Sequence, residues 1–331
     1  MTQRAASSAE SAPTNESSFL SLLFVAITAV FWGLSGGIGG VLIERDWNPF
    51  VVAFYRGFVG LLFFLLWLAL RPRRSGMANA HMWFWAVLAG LSVAGNFSFY
   101  LISVAEGGVA VAATLMYCAP VFVYIASFAL GLERSSPPKW AAIAFVLLGI
   151  VLLTGIYEVE TVRVTRVGIA AGLLSGLSYA VFIFSFKSAA RKGSPQSILA
   201  VAFATLCVTL IWPASGREIA RVVTTSSWPL FVALGILGAG ISFFLYIVGL
   251  RNTAPAPASI VAMVEPVTAS IFGVFVLNEQ IDAPQVVGML LILYTVTKLS
   301  LYSSQGNVSI YRWLTAHAHL RKNPLKIRRG R

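Results

Sequence analysis

The stretch Pro257-Ala-Ser-Ile-Val-Ala-Met-Val-Glu265-Pro266, continuing apolar to Asn278-Glu279, decides how this sequence is read. It is long enough to cross a bilayer, which takes about 20 apolar residues. Near its middle a carboxylate and a proline stand side by side. The stretch also has a double: subtracting 146 from each number gives Val111 to Glu133, with Pro120 in the place of Pro266 and Glu133 in that of Glu279. Glu265 is matched by Ala119. The copies keep the proline, but only one carries the mid-span charge.

Composition sets the class. Only 11% of the 331 residues are charged and 58% are apolar, whereas soluble domains carry about 25% charged residues. The apolar runs are continuous and do not alternate with period two, which argues against a transmembrane β-barrel. The expected fold is an all-α membrane protein with ten transmembrane helices over 19–41, 49–70, 82–104, 109–131, 138–156, 168–187, 195–214, 228–250, 257–277 and 284–303. Connections are short, so sequential helices form antiparallel hairpins. Residues 1–18 are polar and expected to be disordered; 304–331 form a basic tail.

Orientation follows from counting Lys and Arg by side. With both termini in the cytoplasm, eighteen basic residues lie inside and five outside, with Arg56 within a span; without the tail residues from Lys298 onward the count is still ten against five. The net charge of +12 reflects this bias. Much of it is spread over short loops, which argues against nucleic-acid binding.

One ungapped shift of 146 also pairs Pro49 with Pro195, Phe97 with Phe243, Tyr100 with Tyr246 and Pro138 with Pro284. Ser136 pairs with Asp282, each placed as an N-cap ahead of a proline in the first turn. Each repeat holds five spans, 19–156 and 168–303. Five is odd, so the second copy enters from the opposite side. Inverted repeats of this kind build many secondary transporters, with substrate bound near the midplane between halves.

Several motifs resemble the drug/metabolite transporter superfamily in its EamA branch. They are Phe31-Trp32-Gly33, the run from Pro49 to Arg56, and Ala119-Pro120 followed by Leu132-Glu133. In the second copy they are Glu265-Pro266, then Asn278-Glu279 and Gly288. The resemblance covers residues 19–303. Within that branch the chain resembles YddG-like exporters of aromatic amino acids, which are also linked to paraquat efflux. One departure is Ser178-Tyr179 where the first copy has Trp32-Gly33. The resemblance implies a metabolite exporter of the bacterial inner membrane.

Glu265 lies eight residues into its span, about 12 Å deep at 1.5 Å per residue. A charge there costs about 2.5–3.5 kcal/mol on insertion scales. It is read as a contact for a substrate ammonium or a proton site, against a purely structural carboxyl. Arg56, seven residues into the second span, could snorkel, pair with a carboxylate or attract a substrate carboxylate. Its depth differs from that of Glu265, which argues against a direct pair, and a structural role is favoured. Pro120 and Pro266 are expected to kink their helices and shape the cavity or gate.

Polar and aromatic residues recur at helical spacing: Thr28, Trp32 and Ser35; Ser92, Asn96, Tyr100 and Ser103; Thr114, Tyr117 and Tyr124; Ser175, Ser178, Tyr179 and Phe182; Ser242 and Tyr246. Facing inward, they serve interhelical hydrogen bonding, or they line a cavity suited to flat amphipathic molecules. The candidate substrate-binding set is Trp32, Asn96, Tyr100, Thr114, Tyr117, Ser178, Tyr179, Ser242, Tyr246, Met263 and Glu265. Glycines 33, 36, 37, 39, 40, 168, 172 and 176 follow small-xxx-small spacing and are read as packing residues.

Glu133 and Glu279 are read as loop residues serving the next helix start, since helix C-terminal dipoles disfavour them. No GxxxxGK[ST] phosphate loop is present, and Cys118 and Cys207 form no CxxC metal motif. His81, His317 and His319 fall in a loop and the tail, so no metal or other cofactor is expected. The expectation is a secondary transporter, not an enzyme, exporting amino-acid-like substrates as a monomer among membrane lipids. The tail from Arg321 to Arg331 would lie on anionic headgroups. Other readings are an exporter of cationic drugs, a membrane enzyme using Glu265, or a channel.

Overall fold

The computed structural model describes residues 15–70, 77–133, 135–158, 165–191, 193–278 and 280–299. The N-terminal segment up to residue 14, Glu279 and the basic tail lie outside the described residues. Among the described residues there is no strand. The helices are α1 (Asn15–Glu44), α2 (Pro49–Leu70), α3 (Ala80–Gly107), α4 (Val109–Met116), α5 (Ala119–Ala129), α6 (Pro137–Thr154) and α7 (Arg166–Ala189). They continue with α8 (Pro195–Leu210), α9 (Gly216–Val222), α10 (Trp228–Gly235), a π-helical turn (Ile236–Ile241), α11 (Ser242–Asn252), α12 (Pro255–Val261) and α13 (Val264–Val276). A further apolar helix, α14, spans Ala283–Leu299.

Among the described residues, counting α4–α5, α10–α11 and α12–α13 as continuous crossings, eight helices are long and apolar enough to span a membrane. The apolar helices α8 and α14 are shorter. The short helix α9 was not foreseen in the 215–227 connection.

At both prolines the helix is interrupted, more sharply than a simple kink. A residue at position i of a helix donates its N–H to the carbonyl at i−4; Pro120 and Pro266 have none to donate. Each helix therefore tightens around its proline, through Cys118 N–H to Leu115 O and Val121 N–H to Cys118 O in the first copy. In the second copy, Met263 N–H donates to Ile260 O and Glu265 N–H to Ala262 O, at 3.0 Å each. The span breaks into two half-helices, and the proline falls in the first turn of the second half, where its missing donor is tolerated. Glu265 occupies the first turn of α13, where the helix dipole favours a negative charge.

Capping was partly foreseen. Ser136 holds the N-cap position of α6 without a side-chain cap bond; its own N–H donates to the Tyr124 hydroxyl at 2.8 Å. Asp282 N–H donates to Gln285 Oε1 at 3.0 Å, the return half of a capping box.

The largest helix interfaces cross between the two halves of the chain. Helix α1 lies against α11 and α13, and α7 lies against α3 and α5. These pairs exchange under the 146-residue shift. Helix α2 packs on α8, its own image, at the pseudo-twofold axis. Close approach rests on small residues. A Cβ on Gly33 would lie 2.6 Å from the Glu265 carbonyl oxygen and 2.9 Å from the Ala269 nitrogen. A Cβ on Gly176 would meet the Leu115 carbonyl oxygen at 2.9 Å and one on Gly172 the Leu115 side chain at 2.7 Å, whereas Gly36 faces open space.

Gly33→Ala forces backbone against backbone and should destabilise the protein by roughly 1–3 kcal/mol, as overpacking does. Gly36→Ala should stay within about 0.5 kcal/mol of wild type. Thermal melting of the purified protein in detergent checks both; equal melting temperatures for the two variants would refute this close approach.

Candidate functional site

Where α1, α7 and α11 meet, the interior is built of aromatic rings. Trp32 is 3% exposed, with its ring centroid 5.0 Å from Tyr246, 5.1 Å from Phe243, 6.1 Å from Phe182 and 6.4 Å from Tyr179. Tyr179 and Phe182 are 4.6 Å apart. Tilted and edge-on contacts of this kind hold rings in fixed orientations. Three helices thus place Trp32, Tyr179 and Tyr246 in one wall.

The polar atoms of that wall are not satisfied. Trp32 Nε1, the Tyr179 and Tyr246 hydroxyls, and Glu265 Oε2 are buried, and none has a hydrogen-bond partner. An unpaired buried polar atom costs about 1–3 kcal/mol. Four in one region are hard to explain as scaffold, because a purely structural core would replace them with apolar groups.

Glu265 links this wall to the α4–α5 break. It lies within Coulombic reach of Arg56, Tyr100, Tyr117, Tyr179 and Tyr246. Tyr117 and Met263 are the break residues themselves, both buried. Arg56, Phe97, Tyr100 and Glu265 are only half-buried although helices surround them.

Other members of the predicted set are committed to packing. Asn96 Nδ2 donates to the Ser175 carbonyl at 3.1 Å and to Ser175 Oγ at 3.0 Å, while Ser175 Oγ donates back to the Asn96 carbonyl at 2.9 Å. These bonds fasten α3 to α7. Thr114 Oγ1 bonds Thr154 Oγ1 at 2.8 Å, joining α4 to α6. Ser178 Oγ lies where a Cβ on Gly95 would be 3.2 Å away. Ser242 is engaged only through its carbonyl, which accepts from Thr28 Oγ1 at 3.1 Å; its hydroxyl, like those of Tyr179 and Tyr246, is buried without a partner.

Arg56 does not snorkel. Its Nε donates to the Gly238 carbonyl in the π-helical turn at 3.1 Å, and its guanidinium carbon sits 5.2 Å from the Phe97 ring centroid. Among the described residues it forms no ion pair within 4.0 Å of Glu265. Sequence reasoning missed the π-helical turn and the Arg56 partnership. The one available signal was the glycine spacing of Gly235, Gly238 and Gly240.

Glu133 serves a helix start, but a distant one. Its Oε1 accepts the Ala256 N–H of α12 at 3.2 Å, and its Oε2 is ion-paired with Lys139 in the first turn of α6. A carboxylate suits an N-terminal N–H left without an intrahelical partner. Nearby, Lys187 Nζ donates to the carbonyls of Leu250, Arg251 and Thr253 at the end of α11. This end is closely packed: all seven residues of α12 are buried. In the other copy, α4 has only Val111, Ala112 and Met116 buried, and Val109 is 62% exposed.

Comparison with known proteins agrees with this architecture. The model of the EamA-like transporter family matches residues 19–155 and again 166–301. The chain is 31% identical over 241 residues to a protein of Archaeoglobus fulgidus named "Uncharacterized transporter", covering 72% of this chain and 80% of the other. It is 25% identical over 286 residues to "Uncharacterized transporter YwfM" of Bacillus subtilis, covering 84% and 93%. It is also 25% identical to "Uncharacterized inner membrane transporter YicL" of Salmonella typhimurium, covering 85% and 95%. A solved crystal structure shares the fold with a TM-score of 0.68 at 17% identity, over 88% of this chain and 98% of the other.

Removing the α3–α7 bonds should lower stability without changing what the site recognises. A double-mutant cycle on Asn96→Ala and Ser175→Ala should give a coupling of about 0.6–1.7 kcal/mol, the range for interhelical hydrogen bonds in membranes. Chemical unfolding in mixed micelles measures it; zero coupling would mean that the bonds do not fasten the helices.

Proposed function

The chain belongs to the EamA-like transporter family, and from that we propose that it exports aromatic and other hydrophobic amino acids, or metabolites of similar amphipathic shape. Export runs across the bacterial inner membrane, as in YddG-like exporters, by alternating access between two inverted five-helix repeats with ten crossings and both termini in the cytoplasm. The observation that carries the reading is the convergence of Trp32 Nε1, the Tyr179 and Tyr246 hydroxyls and Glu265 Oε2 as buried, unpartnered polar atoms in an aromatic wall. Such a wall accommodates a flat apolar side chain, and Glu265 receives the ammonium group.

The functional set is Trp32, Tyr100, Tyr117, Tyr179, Tyr246, Met263 and Glu265. Pro120 and Pro266 create the half-helix ends between which the substrate sits. Asn96, Thr114, Ser178 and Ser242 support the wall from behind. Substrate replaces the missing hydrogen bonds on entry, so the cost of the unpaired groups falls when the site is filled.

Alternating access in an inverted repeat requires one end to be sealed while the other is open. The complete burial of α12 beside the partial exposure of α4 supports a state closed at the Glu133 end and open at the other. By the distribution of Lys and Arg, the closed end faces the cytoplasm. Glu133 bridges repeat one to the α12 N-terminus of repeat two, so inward opening must break that bond.

Flux into proteoliposomes tests the site. Phenylalanine and tryptophan uptake should saturate and show counterflow, and Tyr246→Ala and Glu265→Gln should each lower it about tenfold or more, the loss of one charge-assisted or buried polar contact. Flux unchanged by both substitutions would remove these residues from the site, and conductance without saturation would favour a channel.

Cysteine accessibility tests the closed end. In a Cys118→Ser, Cys207→Ser background, a membrane-impermeant maleimide should label Val109→Cys quickly and Ala256→Cys slowly. Adding Glu133→Gln should speed labelling at position 256. Equal rates at the two positions would rule out one-sided opening.

A further inference from the structure

Two charges deep within the spans have no charged counterpart under the 146-residue shift. Glu265 is answered by Ala119 in the first copy, and Arg56 by Ala202 in the second. One charge comes from each repeat, and the two lie within Coulombic reach of each other without an ion pair inside 4.0 Å among the described residues. Opposite charges that share a low-dielectric interior attract strongly. Holding them apart therefore needs a structural cause, and for Arg56 it is visible.

The Gly238 carbonyl accepts from Arg56 Nε at 3.1 Å. That carbonyl belongs to the π-helical turn, where the i→i−4 ladder is interrupted and a carbonyl can turn to an outside donor. The turn also brings α2 and its neighbour very close. A Cβ on Gly238 would lie 2.7 Å from Arg56 Nε and 2.6 Å from Ser35 Oγ. On its other side the guanidinium rests over Phe97 at 5.2 Å. The side chain is thus fixed through one nitrogen and one face. Among the described residues, its two terminal nitrogens make no hydrogen bond. Those nitrogens form the fork that binds a carboxylate bidentately.

We infer that Arg56, held by the Gly238 carbonyl, is the carboxylate-recognising residue of the transport site, so that the site selects molecules carrying both an ammonium and a carboxylate. This rests on the amino-acid export reading and deepens it. The α-ammonium is received by Glu265 from repeat two and the α-carboxylate by Arg56 from repeat one. The substrate closes the gap between two charges that do not reach each other. Because the poles come from opposite repeats, only a molecule bearing both ties the halves together.

Binding of three probes to the purified full-length protein in nanodiscs, read by isothermal titration, tests the assignment. The probes are L-phenylalanine, phenethylamine, which lacks the carboxylate, and 3-phenylpropionate, which lacks the ammonium. Wild type should bind phenylalanine about tenfold or more tighter than either analogue, since each pole contributes a charge-assisted contact. Arg56→Gln should weaken phenylalanine by a similar factor while leaving phenethylamine within about twofold, and Arg56→Lys should recover part of the loss. Glu265→Gln should spare 3-phenylpropionate instead. Gly238→Ala, which displaces Arg56 but keeps its charge, should shift selectivity in the same direction as Arg56→Gln.

Equal weakening of phenylalanine and phenethylamine by Arg56→Gln would overturn the assignment and leave Arg56 as a bundle tie. If Arg56→Gln does not fold, wild type still decides: phenylalanine methyl ester binding as tightly as phenylalanine overturns the inference. Phenylalanine binding with the wrong selectivity defeats this inference alone. No binding of any probe by wild type defeats the amino-acid reading, and this inference with it.

Discussion

In hydrocarbon there is no water to receive an abandoned backbone N–H or carbonyl, so a helix can be interrupted only where protein or an internal cavity covers the break. This constraint governs three places in the chain. At Pro120 and Pro266 the missing donor is met by tightening the turn around the proline. At Ile236–Ile241 the ladder widens, and the Gly238 carbonyl finds the Arg56 guanidinium. At each interruption the residue at the break, Tyr117, Met263 or Gly238, is buried. Glu265 is tolerable at depth because one of them makes its position the first turn of a half-helix.

The two halves interlock. Each of α1 and α7 lies against helices of the opposite copy, and α2 and α8 meet at the pseudo-twofold axis. Where glycines admit this approach, backbone lies nearly against backbone, as at Gly33 and the Glu265 carbonyl. Movement of one copy against the other must therefore slide packed helices as units, since a dense interior does not deform continuously. A polar bond lies directly in the way of such movement: Glu133 of the first copy accepts the Ala256 N–H of the second.

A repeated architecture carries unrepeated chemistry. The prolines, Phe97 with Phe243, and Tyr100 with Tyr246 occur in both copies, whereas Arg56, Glu265 and Trp32 have Ala202, Ala119 and Ser178 as their counterparts. At the loop carboxylates, Lys139 stands beside Glu133, and the matching position is Gln285, which donates to the Leu153 carbonyl instead. One end of the molecule is thus fastened by an ion pair, and at the other that cation is replaced by an amide.

The sequence by itself determined the membrane class, the two repeats, most helix positions and the breaks at the prolines, because hydrophobic length and local backbone chemistry are properties of contiguous residues. It also picked out Glu265, since a carboxylate in an apolar span is conspicuous without any partner. It could not tell wall from scaffold. Asn96 and Tyr246 look alike on a helical stripe, yet Asn96 is bound to Ser175 and the Tyr246 hydroxyl has no partner, which depends on residues 79 positions away or more. Only the tertiary structure decided that Arg56 turns inward to Gly238, 182 residues along the chain. The depth of a side chain follows from its own helix, but its partner is set by how helices from opposite repeats cross.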